Sequence, residues 1–173
     1  MLLDLLLAAI SIGPLSNLSS TSAADPCRDF VLAQNPHVQW TSERGLTADL
    51  TFDGSPEFAL WGVAGDTTVL VIVDCKGGTP GRSWRFPFRF QAICGSAHVD
   101  AELENPAFGE GYLLEQCLGA EKSPECVELA ALDKRLQAGH EAGGWGLRLG
   151  IPDCDGVHLY WDEKAEDFRT WRF

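Results

Sequence analysis

Residues 57–74 constrain the fold more than any other segment. Glu57–Ala64 and Thr67–Asp74 are both rich in apolar, β-branched and aromatic side chains, and Gly65-Asp66 between them is a two-residue hairpin turn. Within the second run, Val69-Leu70-Val71-Ile72-Val73 is apolar without a break. A strand with one wet face alternates polar with apolar; a strand apolar at every position needs cover on both faces. The segment therefore predicts a central antiparallel strand with cover on each side.

The neighbouring segments continue a β-rich pattern. Ser83–Phe90 alternates strictly, with Trp84, Phe86, Phe88 and Phe90 on one side and Arg85, Pro87 and Arg89 on the other. Pro87 cannot donate to a ladder, which points to an edge strand or a bulge. The aromatic face is assigned to the core in preference to a sugar-binding platform. Extended structure is also expected at 37–41, Leu46–Phe52, Ser96–Leu103, Val157–Trp161 and Phe168–Phe173, the last two joined by the charged turn Asp162–Asp167. Lys76–Gly81 reads as a loop.

Two helices are expected. The first, 26–34, has Asp25 as its cap, Pro26 at its first position and Asn35-Pro36 as its stop. The second, Ser123–Gln137, has Ser123 as cap and Pro124 in the first turn. Glu125 and Glu128 lie near its positive end, and Lys134 and Arg135 near its negative end. Leu129, Leu132 and Leu136 share a face, and Gly139 can end the helix. The fold class is α+β: a mainly antiparallel sheet of six to eight strands with one main helix, about 123–137, packed on it.

The N-terminal segment has the layout of a secretory signal peptide. Residues 5–12 are almost all apolar, Gly13-Pro14 breaks them, and Ser22 and Ala24 are small residues suited to cleavage before Asp25. No Lys or Arg precedes the run, Asp4 sits inside the apolar N-terminal stretch, and a buried core helix is the competing reading. The run is shorter than the roughly 20 residues needed to span a bilayer. The expectation is a signal peptide over 1–24, one disulfide-bonded β-rich domain over 25–173, and a secreted or periplasmic location.

The cysteines fit export. Six are present, Cys27, Cys75, Cys94, Cys117, Cys126 and Cys154, and none falls in a CxxC pair, so neither a zinc ribbon nor a thioredoxin-type site is suggested. Three disulfides allow fifteen pairings. The preferred set is Cys117–Cys126, Cys94–Cys154 and Cys27–Cys75, of which only the first rests on proximity. The formal charge is −12, and Asp4 is the only charged residue before Asp25. A chain this acidic is repelled by nucleic acid and by anionic lipid. Neither is an expected partner, nor is a membrane span expected. A basic protein or a cation is the partner class that charge favours.

The most specific motif is Asp49-Leu50-Thr51-Phe52-Asp53-Gly54-Ser55-Pro56-Glu57. Calcium takes six to eight oxygen ligands, and a loop offering one at every second residue before a sharp turn at Gly can wrap it. Asp49, Thr51, Asp53 and Glu57 would supply side-chain oxygens and Ser55 a carbonyl, in a strand–loop–strand setting. An ordinary polar turn is the competing reading, since Asp, Gly, Ser and Pro are turn residues. The nonapeptide resembles the calcium loop of FG-GAP/VCBS-type repeats, whose usual form is DxDxDGxxD between strands. It is also similar to the single degenerate loop of many uncharacterised exported bacterial proteins, in which a hydrophobic hairpin follows, as Phe58–Val73 does here. Their chains often end in an aromatic strand pair comparable to His158-Leu159-Tyr160-Trp161-Asp162 and Thr170-Trp171-Arg172. This chain has Thr51 where the repeats carry a carboxylate, and one copy where a propeller needs several blades. The resemblance implies no enzymatic activity.

Other candidates are weaker. Asp153-Cys154-Asp155-Gly156 is too short to cage an ion alone. His140-Glu141 has no second His at zincin spacing, and His37, His98, His140 and His158 are scattered. There is no G-x-S-x-G elbow and no P-loop. No catalytic residue is therefore nominated. The expected function is a small exported non-enzymatic domain with one candidate structural calcium ion. The alternative is a periplasmic inhibitor or immunity-type protein that binds a basic partner enzyme.

Overall fold

The computed structural model describes residues 25–41, 44–89, 99–108, 112–113, 116–119, 122–150 and 156–171. The elements are α1 (Pro26–Gln34), β1 (Gln39–Trp40), β2 (Leu46–Ala48), β3 (Glu57–Ala64), β4 (Thr67–Asp74), β5 (Ser83–Phe88), β6 (Asp100–Glu104), α2 (Pro124–Glu141), β7 (Gly146–Gly150), β8 (Val157–Asp162) and β9 (Asp167–Trp171). The fold is α+β with antiparallel pairing throughout. The nine strands among the described residues form two sheets rather than the single sheet of six to eight expected. The first runs β1-β3-β4-β5 with β2 also on β3, and the second runs β6-β7-β8-β9.

The continuous apolar run explains the layering. β3 and β4 pair along their full lengths around Gly65, whose φ of +65° supplies the turn. Leu70 and Ile72 of β4 face the second sheet and pack with Leu147, Leu149, Leu159 and Phe168. Val69, Val71 and Val73 face the other way, onto Cys27 and Val31 of α1. Both faces of β4 are thus covered, one by a sheet and one by a helix. Each such buried aliphatic side chain stabilises the fold by about 1.5–3 kcal/mol. Trp61 of β3 adds a polar link between the sheets, its indole N–H donating to the Val99 carbonyl at 3.0 Å. The half-buried Trp84, Phe86 and Phe88 of the edge strand β5 extend the same core.

The ends of α1 follow from its caps. The Asp25 carboxylate accepts from the N–H groups of Cys27 and Arg28, and Pro26 opens the helix. The Cys27–Cys75 disulfide ties α1 to the end of β4. Cys117–Cys126 likewise joins a short helical stretch before α2 to the first turn of α2. Both are pairs expected from the sequence. The remaining proposed pair, Cys94–Cys154, lies outside the described residues, as do residues 1–24, Phe90, His98, Asp153, Asp155 and Phe173.

Several boundaries differ from expectation. α2 does not stop at Gly139 but runs to Glu141, because that glycine serves packing. A Cβ there would lie 2.9 Å from the Phe52 ring, and one at Gly144 would lie closer still. β2 ends at Ala48 rather than at Phe52, because the Leu50 and Thr51 N–H groups donate to the Glu57 carboxylate. β5 stops at Phe88, and β6 runs Asp100–Glu104, ending one residue past the expected Leu103; residues 96–98 lie outside the described residues. β7, interior to its sheet, was not expected at all: it is five residues with glycine at both ends and Arg148 in the middle. Arg148 is tolerated there because its guanidinium reaches Glu102 on β6 at 2.6 Å.

Candidate functional site

Residues 49–56 form the hairpin loop between β2 and β3, where Ala48 pairs with Glu57. The loop is shaped by its own carboxylates. Glu57 is 1 % exposed, and its carboxylate points back under the loop. One oxygen accepts from the N–H groups of Leu50 (2.7 Å) and Thr51 (3.0 Å), and the other pairs with the Thr51 hydroxyl at 3.1 Å. These bonds take the backbone donors that a longer β2 would have offered to β3, so the strand stops at Ala48. Asp49 accepts from the N–H groups of Asp53 (3.2 Å) and Gly54 (2.9 Å). Asp53 accepts from the Ser55 N–H at 2.8 Å. Phe52 and Gly54 take positive φ, 61° and 82°, which closes the turn. At the far end the Asp49 carbonyl accepts from the Trp145 N–H, fastening the loop to the segment after α2.

The electrostatics follow from this arrangement. Burial pushes the Glu57 carboxyl up to about 7, against the opposing pull of its N–H and hydroxyl donors. Asp53 is exposed, and Lys76 holds its carboxyl below the ordinary range, helped by the Ser55 N–H. The Lys76 ammonium stands 2.8 Å from Asp53 and 3.7 Å from Asp74, and Asp53 in turn raises the lysine pKa.

Lys76 opens the 3-10 turn Lys76–Gly78, and beside it lies a cleft of about 460 Å³. Asp53, Glu57 and Asp74 line it from the first sheet and its loop; Glu163 and Glu166 line it from the β8–β9 turn. Two indoles, Trp84 and Trp161, form an edge-to-face pair at 5.6 Å in its wall. The Arg82 guanidinium lies 4.9 Å from the centre of the Trp84 ring. The Asp74 Oδ1 and Trp84 Nε1 atoms are buried there with no hydrogen-bond partner among the described residues. The cleft therefore already holds two cationic groups of this chain, an ammonium between carboxylates and a guanidinium on an indole.

The residues nominated for calcium are brought into one loop but not around one point. Glu57 is turned inward onto backbone donors, Asp49 onto two others, and Asp53 faces a lysine. Among the described residues no group of three or more acidic, His or Cys side chains is placed to hold a metal ion. His158 is buried against Glu104 at 2.8 Å and stacks on Trp171, and His140 bonds the Gly144 carbonyl at 2.9 Å.

The cleft residues Lys76, Arg82, Trp84, Trp161, Glu163 and Glu166 were not singled out from the sequence as a site. Their only signal was local: charge in the 162–167 turn, and an indole opening an aromatic stripe. No protein family, curated protein or solved structure matches the chain. No helix among the described residues is long and apolar enough to cross a membrane.

Proposed function

We propose that this chain is an exported, non-enzymatic binding domain whose partner is a basic protein, in the manner of a periplasmic inhibitor or immunity protein. The observation that carries this reading is the cleft, where acids outnumber bases and the chain's own Lys76 and Arg82 occupy cation positions. A lysine or arginine from a partner would find the same carboxylates and the same indole faces. The Cys27–Cys75 and Cys117–Cys126 disulfides suit an oxidising compartment, and the formal charge of −12 steers a basic partner at long range.

The test uses cytochrome c as a folded basic probe. Binding to the oxidised chain is expected at low salt and is expected to weaken steeply as salt is added. Reversing Glu163 and Glu166 together to Lys should weaken it by about tenfold or more. Asp66→Lys, in the β3–β4 turn at the other end of β4 from Asp74, should change it little. A loss from Asp66→Lys of about half the free energy lost in the double reversal, in proportion to the charge changed, would mean that net charge alone binds the probe, and the cleft reading would fall.

A structural calcium ion in the 49–57 loop is a second reading, favoured by the oxygen spacing and by the left-handed Gly54. It requires Lys76 to leave Asp53. At 100 times its dissociation constant, calcium should add about 2.7 kcal/mol, a rise of roughly 5–10 °C in Tm. The rise should vanish in chelator and in Asp53→Ala, and should grow in Lys76→Ala. Melting curves that calcium does not move would remove the ion from consideration.

A further inference from the structure

Phe52 holds the 49–56 loop closed from an unfavourable backbone. Its φ of 61° lies in a region that residues with a bulky side chain rarely adopt. Packing offsets this, because the ring lies on the bare backbone of Gly139 and Gly144. A Cβ on Gly139 would stand 2.9 Å from the ring, and one on Gly144 closer still. The notch made by the two glycines is firm: the Gly144 N–H donates to the Gly139 carbonyl at 3.0 Å, and His140 bonds the Gly144 carbonyl. The root of the loop is firm as well. Leu50 is buried in the core, and Glu57 holds the Leu50 and Thr51 N–H groups. The tip between them has weaker ties. Asp53 and Gly54 are exposed, and the contact of Asp53 with Lys76 is an exposed ion pair, which adds little. The tip is also a wall between two separate hollows. Thr51 and Asp53 line the cleft beside Trp84, while Phe52, Asp53 and Gly54 line a second hollow of about 570 Å³ beside α2.

We propose that residues 52–55 are a latched flap: the Phe52 ring leaves the glycine notch, the tip swings out from the root at Leu50 and Glu57, and the wall between the two hollows is withdrawn. Opening lets the Phe52 backbone leave the left-handed region, so relief of strain offsets part of the packing that is lost. The notch, bonded within itself, stays in place while the loop moves. The same swing takes Asp53 away from Lys76. The ammonium is left beside Asp74, and the Asp53 carboxylate is free to meet solvent or an incoming cation. The flap thus sets whether Asp53 is satisfied by the chain itself or offered outward. The inference concerns a movement of this chain and stands apart from the basic-partner reading.

The test is hydrogen exchange of the oxidised full chain, read amide by amide. The Asp53 and Gly54 N–H groups, both held by Asp49, report the tip. Leu50 and Thr51 report the root, and Leu70 and Ile72 the core. In the parent, the tip should exchange through an opening at least about tenfold more populated than that of the root. Gly139→Ala leaves the loop sequence untouched and favours the helix, yet its new methyl group displaces the ring. It should speed exchange at the tip by about tenfold while α2 amides keep or gain protection. Phe52→Asn suits the left-handed backbone but carries no ring, and should speed the tip as well. A tip that slows in Phe52→Asn would show that the turn closes the loop without the ring, and the flap would fall. It would fall equally if Gly139→Ala left the tip unchanged, or sped tip, root and core by the same factor, the mark of a general loss of stability.

Discussion

Replacing Cys27 and Cys75 together by Ala is expected to lower the stability of the chain by about 4 kcal/mol. The bond joins residues 48 apart, and the chain-entropy cost of leaving a loop of that size open gives this magnitude. The native contacts add to the expectation. Cys27 is 2 % exposed and belongs to the cluster in which α1 covers Val69, Val71 and Val73. Loss of the tether should therefore free α1 preferentially and uncover one face of β4. Urea melts of the double variant beside the oxidised parent would measure the cost, and hydrogen exchange would locate it. A loss below about 1 kcal/mol, with α1 amides still protected, would show that packing alone fastens the helix.

Glu57 should give the second large effect, in two measurements with different signatures. Glu57→Ala leaves the Leu50 and Thr51 N–H groups without acceptors beneath a closed loop, and should cost roughly 2–5 kcal/mol. The titration of the parent carboxyl should appear separately as a pH dependence. Its folded pKa of about 7 lies above the ordinary 4.5, so between those values the folded chain keeps a proton that the unfolded chain has released. The contribution of this group is thus fully present below about 4.5, declines as pH rises through 7, and is flat above. The loss across that window is at most about 3 kcal/mol. Glu57→Gln should remove this slope. A parent whose stability rises between pH 5 and 7, by an amount that Glu57→Gln does not alter, would show that the loop's donors outweigh burial and keep the carboxylate charged.

The layered core was legible in the sequence because its signal is local. Five consecutive apolar residues in β4 and a Gly-Asp turn specify a hairpin with two covered faces, and a capped Asp-Pro start specifies α1. β7 was missed because its identity is not local. Gly146 sits where a side chain would meet Pro106, and Arg148 is acceptable only opposite Glu102, neither of which is near in sequence. The same holds for Gly139, which looks like a helix stop until Phe52 is laid across it. In the 49–57 loop the acidic residues were found, but their orientation was not. Regular spacing of carboxylates describes what a loop can offer an ion. It does not say whether those oxygens are already committed to the loop's own N–H groups or to a lysine outside the motif. Lys76 follows a cysteine in an unremarkable turn, and only the hairpin's return brings it beside Asp53. The cleft as a whole joins the first sheet to the β8–β9 turn near the other end of the chain, a juxtaposition that no single stretch of sequence encodes.

The two sheets also differ in how they can be assembled in time. β3, β4 and β5 are consecutive strands joined by short turns, so the first sheet requires only brief searches along the chain. β6 and β7 are neighbours in space but are separated by residues 105–145, which include α2 and the Cys117–Cys126 bond. That pairing closes a long excursion, which the helix and the local disulfide shorten before it is attempted. Until β7, β8 and β9 are laid across the hairpin, Leu70 and Ile72 have no opposing layer, and the nascent hairpin presents an oily face to whatever is nearby. The order of strands along this chain thus builds in an interval in which half of a core waits for the other half.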